Sequence, residues 1–367
     1  MHHSVIGKLS LRVGLLMCLL LGLSLLLLAA CGGQDSAKGG GQENNSATGG
    51  SAATNGQIFF RRWFDPDETK DALFTMNPDG GHVSQITHPP KGFVDESPVW
   101  SLDGTKVAFY RQALDDSSSQ IMVLNTDTGD ARQVGVEGKE PAWAPDGHSL
   151  AYKTIIGPDT DAKRIEGIWI VGLDGSDPHQ VTNVEPKLPE EYSDFGSAFS
   201  PDGKMLVFDR ERRQREPQLG GEENFYHAVF VQPIDSPGSP EDAQQITPWK
   251  SNCQDHPEFS PDGKLVLFRC VPKGEGGPSN LYWVHLDGTD LHPLTQAPAD
   301  KEYILGSSFS PSFSEGEGWI TVGRAPGYGD EGNADVFRMR IEEGEVVSSE
   351  NLTKSALWDS APVWGSH

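Results

Sequence analysis

A short turn-forming phrase recurs along this chain and restricts its fold more than any other feature of the sequence. In its fullest form the phrase reads Phe-Ser-Pro-Asp-Gly-Lys, as at residues 199–204 and 259–264. Proline presets φ for a turn and glycine supplies the position that needs a positive φ, so the chain reverses here between two short strands. An aromatic residue precedes the turn in each copy, at Trp100, Trp143, Phe199, Phe259 and Phe309. Five copies predict a fold assembled from repeated β-hairpins.

Each of these hairpins is followed by a second hairpin with its own turn. Residues 77–80 (Asn-Pro-Asp-Gly) and 286–289 (Leu-Asp-Gly-Thr) are turns of this second kind. The repeating unit therefore contains four strands, and it recurs every 43 to 60 residues without helical periodicity. Such units are typical of propeller blades. We predict an all-β fold, a six-bladed β-propeller of four-stranded antiparallel blades over residues 57–367.

The two ends of the repeat region predict how the ring closes. Residues 58–63 read as the second strand of a blade that lacks its first strand, and residues 360–364 read as a first strand that lacks its second. Pairing these segments completes one blade and removes the last free sheet edges of the array. We therefore expect the N-terminal strands to pair with the C-terminal strand.

The repeats resemble those of TolB-type propellers. The resemblance rests on the Ser-Pro-Asp-Gly-Lys hairpins and on Asp-Gly turns placed ahead of an aliphatic-threonine pair. These pairs are Ile86-Thr87, Val181-Thr182, Ile246-Thr247 and Leu294-Thr295. The resemblance covers residues 57–367 and implies a six-bladed propeller, a fold that serves many functions. TolB itself carries a small α/β domain ahead of its blades, for which residues 32–56 leave no room.

The N-terminal segment predicts export and anchoring. Lys8 and Arg12 precede an apolar run of 18 residues that ends in Leu-Ala-Ala-Cys at Cys31. This layout resembles a bacterial lipoprotein signal, cut before a cysteine that then carries the lipid. We predict a signal peptide at 1–30, a lipidated Cys31 with a flexible tether at 31–56, and an extracytoplasmic body anchored to a bacterial membrane. The alternative is an uncleaved transmembrane helix, since 18 residues can just span a bilayer.

The chain is strongly acidic, with a formal net charge of −24. Such a surface repels nucleic acid and anionic headgroups, so we expect no nucleic-acid partner and membrane contact through the lipid anchor alone. Negative charge also favours cationic partners or metal ions, while serving solubility. We expect a monomeric body that meets an envelope protein or peptide.

A ring of polar residues is predicted where the innermost strands begin. There the long connections between strands gather on one face, which is the usual place for binding. The candidate ligand-binding residues are Asp95, Glu96, Asp194, Asp255, His256, Tyr303 and Asp359, accompanied by Lys139 and Glu140. Clustered carboxylates gain from a bound cation, amine or basic peptide, so a divalent cation is the one cofactor considered. Acidic loops that serve solubility alone are the alternative.

Motifs for catalysis are missing from the sequence. It contains no Gly-x-Ser-x-Gly elbow, no His-Glu-x-x-His and no phosphate-binding loop. We therefore predict a binding or scaffolding lipoprotein of the cell envelope that uses its long-loop face. The alternative is a metal-assisted polysaccharide lyase or hydrolase at the acidic opening, with His256 and Tyr303 as acid and base. A sensor or a subunit of an envelope complex is a third reading.

Two cysteines, Cys253 and Cys270, flank one of the Ser-Pro-Asp-Gly hairpins. If Phe259 lies opposite Lys264, the same register places the cysteines opposite each other. Directly opposed residues have Cβ atoms about 4.5–5.5 Å apart, close enough for a disulfide. We predict this bond in an oxidising compartment, with two free thiols as the alternative.

Overall fold

The structure, a computed structural model, describes residues 56–64, 71–156, 165–182, 190–215, 223–235, 243–271, 279–296, 303–326 and 333–365. The described residues form 24 strands and one short 3-10 helix, Trp249–Ser251. The strands group into six four-stranded antiparallel sheets. The predicted signal peptide and Cys31, and the tether apart from Gly56, lie outside the described residues. Among the described residues, no helix has the length and apolar character needed to span a membrane.

Every sheet is one blade, with its first strand innermost. Blade 1 consists of β24 (Trp358–Trp364), β1 (Ile58–Trp63), β2 (Asp71–Met76) and β3 (Ser84–Gln85). Blade 2 consists of β4 (Phe93–Trp100), β5 (Lys106–Ala113), β6 (Ser119–Asn125) and β7 (Ala131–Glu137). Blade 3 consists of β8 (Lys139–Trp143), β9 (Ser149–Ile156), β10 (Ile165–Gly172) and β11 (His179–Gln180). Blade 4 consists of β12 (Glu190–Phe199), β13 (Met205–Arg215), β14 (Glu223–Pro233) and β15 (Gln244–Gln245). Blade 5 consists of β16 (Cys253–Phe259), β17 (Leu265–Cys270), β18 (Asn280–His285) and β19 (His292–Pro293). Blade 6 consists of β20 (Tyr303–Phe309), β21 (Gly318–Ala325), β22 (Asp335–Glu342) and β23 (Glu345–Asn351).

The ring closes as predicted, through strands from both ends of the chain. β1 pairs with β24 in an antiparallel register that runs from Ile58 opposite Trp364 to Trp63 opposite Trp358. The first strands of successive blades contact one another around the complete ring, with β24 seated between β20 and β4. The six-bladed propeller is thereby confirmed, and closure gives the last first strand, β24, its second strand, β1.

The core lies between neighbouring blades. β2 is buried along its whole length. Leu267 of β17 and Ile320 of β21 belong to one cluster although they come from different blades. A strand that is covered on both faces needs apolar side chains on both, which is why the middle strands do not alternate apolar and polar residues.

The recurring turn motif has a hydrogen-bonding reason. The Ser200 hydroxyl donates to the Asp202 carboxylate at 2.6 Å and accepts from the Met205 N–H at 3.0 Å. The turns at Ser101 and Ser260 repeat this arrangement. In the first of these, hydrogen bonds to its carboxylate lower the pKa of Asp103 to about 2. The motif thus fixes the turn with its own side chains.

The aliphatic-threonine pairs close the outer edge of a blade. The Thr87 hydroxyl accepts a hydrogen bond from the Leu73 N–H at 3.0 Å, where the short fourth strand ends. The same contact recurs at Thr182, Thr247 and Thr295, and at Thr353. Each threonine satisfies a third-strand amide that the fourth strand is too short to reach.

The predicted register of the cysteine hairpin is wrong next to the turn and correct at the cysteines. Phe259 lies opposite Val266 instead of Lys264. A bulge between Gln254 and Glu258 then adds two residues to β16, which brings Cys253 opposite Cys270. A disulfide joins these two cysteines. A bulge of this kind leaves no mark in the spacing of the sequence.

Candidate binding site in the central channel

The central channel has two ends with different chemistry. We call the end at which the first strands begin the loop end, because the long connections lie there. We call the end at which they reach the Ser-x-Asp-Gly turns the turn end. Most of the long connections lie outside the described residues.

The acidic residues predicted at the loop end are engaged in buried ion pairs. In three blades an aspartate of the first strand lies directly opposite an arginine of the second strand, with two hydrogen bonds of 2.6–3.0 Å between them. The pairs are Asp95–Arg111, Asp194–Arg210 and Asp359–Arg62. All three aspartate side chains are 0% exposed. Their charge is therefore compensated inside the blade instead of being presented to a ligand.

Glu96, at the same end, belongs to a second cluster. It accepts a hydrogen bond from the Tyr110 hydroxyl at 2.7 Å and lies 3.1 Å from the Arg61 guanidinium. Arg61 also pairs with the buried Asp71. Two carboxylates thus share one guanidinium, and burial, opposed by Arg61, raises the pKa of Asp71 to about 7.

The remaining predicted residues differ in their placement. Glu140 accepts hydrogen bonds from Lys153 at 2.7 Å and from the Gly196 N–H of the next blade at 2.8 Å. Tyr303 is half-buried at the start of β20, and the side chain of Asp255 lies outside the described part of the chain. His256 is exposed and lines a cavity in the channel. In the described part of the chain, no group of three or more His, Cys, Asp or Glu side chains is arranged to hold a metal ion.

A belt of six equivalent bulges separates the two ends of the channel. Each first strand carries a residue with positive φ three positions before its last aromatic residue. These residues are Ser97, Glu140, Gly196, His256, Gly306 and Ala361, with φ from 42° to 85°. Neighbouring bulges are in close contact. A Cβ added to Gly196 would lie 2.9 Å from the backbone nitrogen of His256, and a Cβ added to Gly306 would lie 2.9 Å from the Cα of Ala361. A bulge bends its strand, so the residues beyond it take a new direction.

Beyond the belt, at the turn end, lies a cavity of 350 Å³. Six aromatic residues in equivalent positions line it, together with prolines of the first strands and the turns. The aromatic residues are Trp100, Trp143, Phe199, Phe259, Phe309 and Trp364. Leu102, which stands where other turns carry proline, is 69% exposed at its rim. We call this space the aromatic cavity.

The repeat that predicts the fold also contains the signal for the aromatic cavity. The aromatic residue before each turn identified the repeat. In a closed ring, equivalent positions of the first strands converge on one axis, so a repeated aromatic residue there becomes a wall. The sixth member, Trp364, belongs to the strand that closes the ring.

One acidic residue is present among the described residues that line the aromatic cavity. Glu258 occupies the position before the aromatic residue, where the other blades carry Val99, Ala142, Ala198, Ser308 and Val363. Its carboxylate accepts two long hydrogen bonds, each 3.3 Å, from the Ser308 hydroxyl and the Phe309 N–H. Burial raises the pKa of Glu258 to about 8, against the lowering effect of these two hydrogen bonds.

Comparison with solved structures gives the same fold. TolB from Acinetobacter baumannii is similar over 84% of this chain and 66% of that chain, with a TM-score of 0.59 and 17% identity. A putative TolB from Agrobacterium tumefaciens is similar over 84% of this chain and 98% of that chain, with a TM-score of 0.52 and 16% identity. The hydrazine synthase of Kuenenia stuttgartiensis is similar over 88% of this chain and 50% of that chain, at a TM-score of 0.57 and 14% identity.

These similarities show a TolB-like propeller fold. The chain spans just under two thirds of the Acinetobacter protein. At such identities the likeness concerns the fold, which serves many functions. No family model and no curated protein sequence matches the chain.

Proposed function

We propose that this protein is a lipid-anchored binding protein of the bacterial cell envelope. Its propeller captures an extended segment of a partner protein in the aromatic cavity. The observation that carries the proposal is the cavity itself, a space of 350 Å³ walled by six aromatic residues and by prolines at the turn end of a closed ring.

The chemistry of the aromatic cavity suits a peptide side chain. Aromatic rings offer large apolar contact areas at a low cost in conformational entropy, and they are enriched at protein interfaces. The volume lies at the lower end of the range found for ligand pockets, about 300–1,000 Å³. The exposed Leu102 at the rim extends the apolar surface beyond the cavity. Because the wall is built on strands, its geometry is fixed before the ligand arrives.

The loop end supports this function less well. Its aspartates are paired with arginines in the same blade, so a cation that bound there would have to displace an existing partner. The enzyme alternative relies on the same acidic opening. The aromatic cavity requires no such displacement.

The proposed location rests on the lipoprotein-type sequence that ends at Cys31 and on the attachment of the chain to the propeller. The Gly365 N–H donates to the Gln57 carbonyl at 2.9 Å, and Ile58 lies opposite Trp364. The chain that precedes β1 therefore joins the propeller at the turn end, beside the aromatic cavity. A partner held there would be close to Gly56, where the predicted tether ends.

Photo-cross-linking from two exposed leucines tests the proposal. Leu102 lies at the rim of the aromatic cavity, and Leu114 follows β5 at the loop end, where it is 44% exposed. With p-benzoylphenylalanine placed at each position in living cells, we expect a discrete cross-linked product from position 102 and none from position 114.

A cavity-filling variant provides the control. Ser197 lines the aromatic cavity and is half-buried, so Ser197→Trp should fill the space and abolish the product from position 102. A product that persists in Ser197→Trp, or one that forms from position 114 alone, would place the binding site elsewhere.

A further inference from the structure

Glu258 breaks the symmetry of the aromatic cavity. The other five equivalent positions carry valine, alanine or serine, so the repeat does not require a carboxylate there. Glu258 is the one acidic residue among the described residues that line the cavity, and His256 is the other titratable residue there. A single carboxyl group in a largely apolar wall influences which ligands the wall accepts.

The carboxylate of Glu258 also differs from those at the loop end. Asp95, Asp194 and Asp359 each have an arginine at hydrogen-bonding distance. In the described part of the chain, the groups that favour the charged form of Glu258 are the Ser308 hydroxyl and the Phe309 amide, both at 3.3 Å. Because burial raises its pKa to about 8, the group is mostly protonated at pH 7.

We propose that Glu258 makes the aromatic cavity selective for a primary ammonium group, carried by a lysine side chain or by an amino terminus of the bound segment. This inference rests on the proposed function and specifies the chemistry of its ligand. An ammonium group would pair with the carboxylate while its methylene groups contact the aromatic wall. The aromatic faces would themselves attract the cation. The net charge of −24 favours the approach of a cationic segment.

Proton release is a direct consequence of this pairing. A cation beside a carboxylate favours its ionised form. The Glu258 carboxyl group would therefore lose its proton when the ammonium group binds at pH 7. The proton passes to the buffer, so the measured binding enthalpy should depend on the ionisation enthalpy of the buffer. A purely structural role for Glu258 would not produce this dependence.

Isothermal titration with two probes of similar shape tests the selectivity. The probes are hexylammonium chloride and the neutral 1-hexanol. In the native protein we expect hexylammonium to bind at least tenfold more tightly than hexanol, with a buffer-dependent enthalpy. In Glu258→Gln we expect at least a tenfold loss for hexylammonium, no change for hexanol and no buffer dependence. Glu137→Gln changes the net charge equally at an exposed position of β7 and should behave as the native protein.

Two further probes distinguish the sources of the ammonium group. N-acetyl-lysine N-methylamide carries the charge on its side chain, and leucine N-methylamide carries it on the α-nitrogen. Tighter binding of the first supports a lysine ligand, and tighter binding of the second supports an amino terminus. Either result supports the selectivity if Glu258→Gln weakens it.

Equal affinity of the native protein for hexylammonium and hexanol would overturn the inference without requiring any variant. Unchanged hexylammonium affinity in Glu258→Gln would also overturn it, as would the absence of binding by every probe. The cross-link from position 102 remains an independent readout. If it persists while selectivity fails, the aromatic cavity binds its partner through apolar contacts alone. If the cross-link fails, the proposed function itself is wrong.

Discussion

The two ends of the central channel are built from the same strands, yet their carboxylates have different partners. At the loop end, three aspartates of the first strands are fully buried opposite arginines of the second strands, whose side chains are 2–17% exposed. At the turn end, the wall is aromatic, and one carboxylate, Glu258, has hydrogen bonds of 3.3 Å from neutral groups. These three aspartates are therefore each compensated by an arginine of their own blade, whereas Glu258 is the acid that the proposed ligand would engage. Abundance of charge in a sequence does not measure charge available for binding.

The largest expected effect comes from breaking a loop-end pair. Arg210 is 2% exposed, lies within hydrogen-bonding distance of Asp194 and contacts the rings of Phe208 and Phe230. Arg210→Ala would leave Asp194 buried without this arginine, which should lower the free energy of unfolding by about 3–5 kcal/mol. Urea denaturation measures the loss.

Arg132→Ala is the matched control for this experiment. Arg132 is exposed and donates to the Leu173 carbonyl at 2.8 Å. Its removal should change stability by less than about 0.5 kcal/mol. If the two variants lose similar amounts, the loop-end pairs are not structural and the contrast between the two ends fails.

The disulfide of blade 5 should have the next largest effect, also at the loop end. Cys253 and Cys270 are 17 residues apart in the sequence, and a loop of this length corresponds to about 3 kcal/mol of stability. Replacing both cysteines by serine should lower the free energy of unfolding by that amount. Intact-mass analysis of the native protein should show no alkylatable thiol in this pair before reduction. Two alkylated cysteines without reductant would mean that the bond does not form in the protein as isolated.

Glu258 predicts a pH dependence that belongs to the turn end. Its pKa is raised from 4.5 to about 8 in the folded protein. The folded state therefore holds a proton that the unfolded state releases, so stability is greatest below the unfolded pKa and falls as the pH rises toward 8. Relative to Glu258→Gln, the native protein should lose about 2.5 kcal/mol between pH 5 and pH 7.

Thermal midpoints recorded across this pH range for both proteins measure the difference. Asp71 also has a raised pKa and contributes to the pH dependence of both proteins. The comparison removes its contribution, because Asp71 is present in each. Parallel curves for the two proteins would show that Glu258 titrates in its ordinary range.

The smallest predicted effect distinguishes two tryptophans of the aromatic wall. The Trp143 Nε1–H donates to the Val99 carbonyl of the neighbouring blade at 3.0 Å. The Trp100 Nε1 is buried without a hydrogen-bond partner among the described residues. Trp143→Phe should therefore cost about 1 kcal/mol more than Trp100→Phe, by chemical denaturation. The reverse order would show that the hydrogen bond of Trp143 does not stabilise the protein.

The fold was predictable because the repeat places its information in local turns. The Ser200 and Asp202 side chains stabilise their own hairpin, and Thr87 bonds to the third strand of its own blade. The residues that identify each repeat therefore make their contacts close by in the sequence. Ring closure followed from the two incomplete end strands. These features need no knowledge of distant contacts.

The site was less predictable because it depends on pairing across strands. The arginine opposite Asp194 is 16 residues away, and its alignment requires a register that crosses a bulge. The bulge residues range from glycine to glutamate and histidine, so residue type does not reveal them. Glu258 looks ordinary in the sequence, and its importance appears when the ring brings five apolar or hydroxyl-bearing counterparts beside it.

Ring closure by β24 has a consequence for the order in which the cavity is assembled. Trp364, one sixth of the aromatic wall, stands near the C-terminal end of the described chain, and its partner Ile58 stands near the beginning. Blades 2 to 6 contain no strand from the far ends of the chain, so they can form while the cavity still lacks a side. The aromatic wall is completed when β24 joins β1, so capture of the proposed partner would require a closed ring.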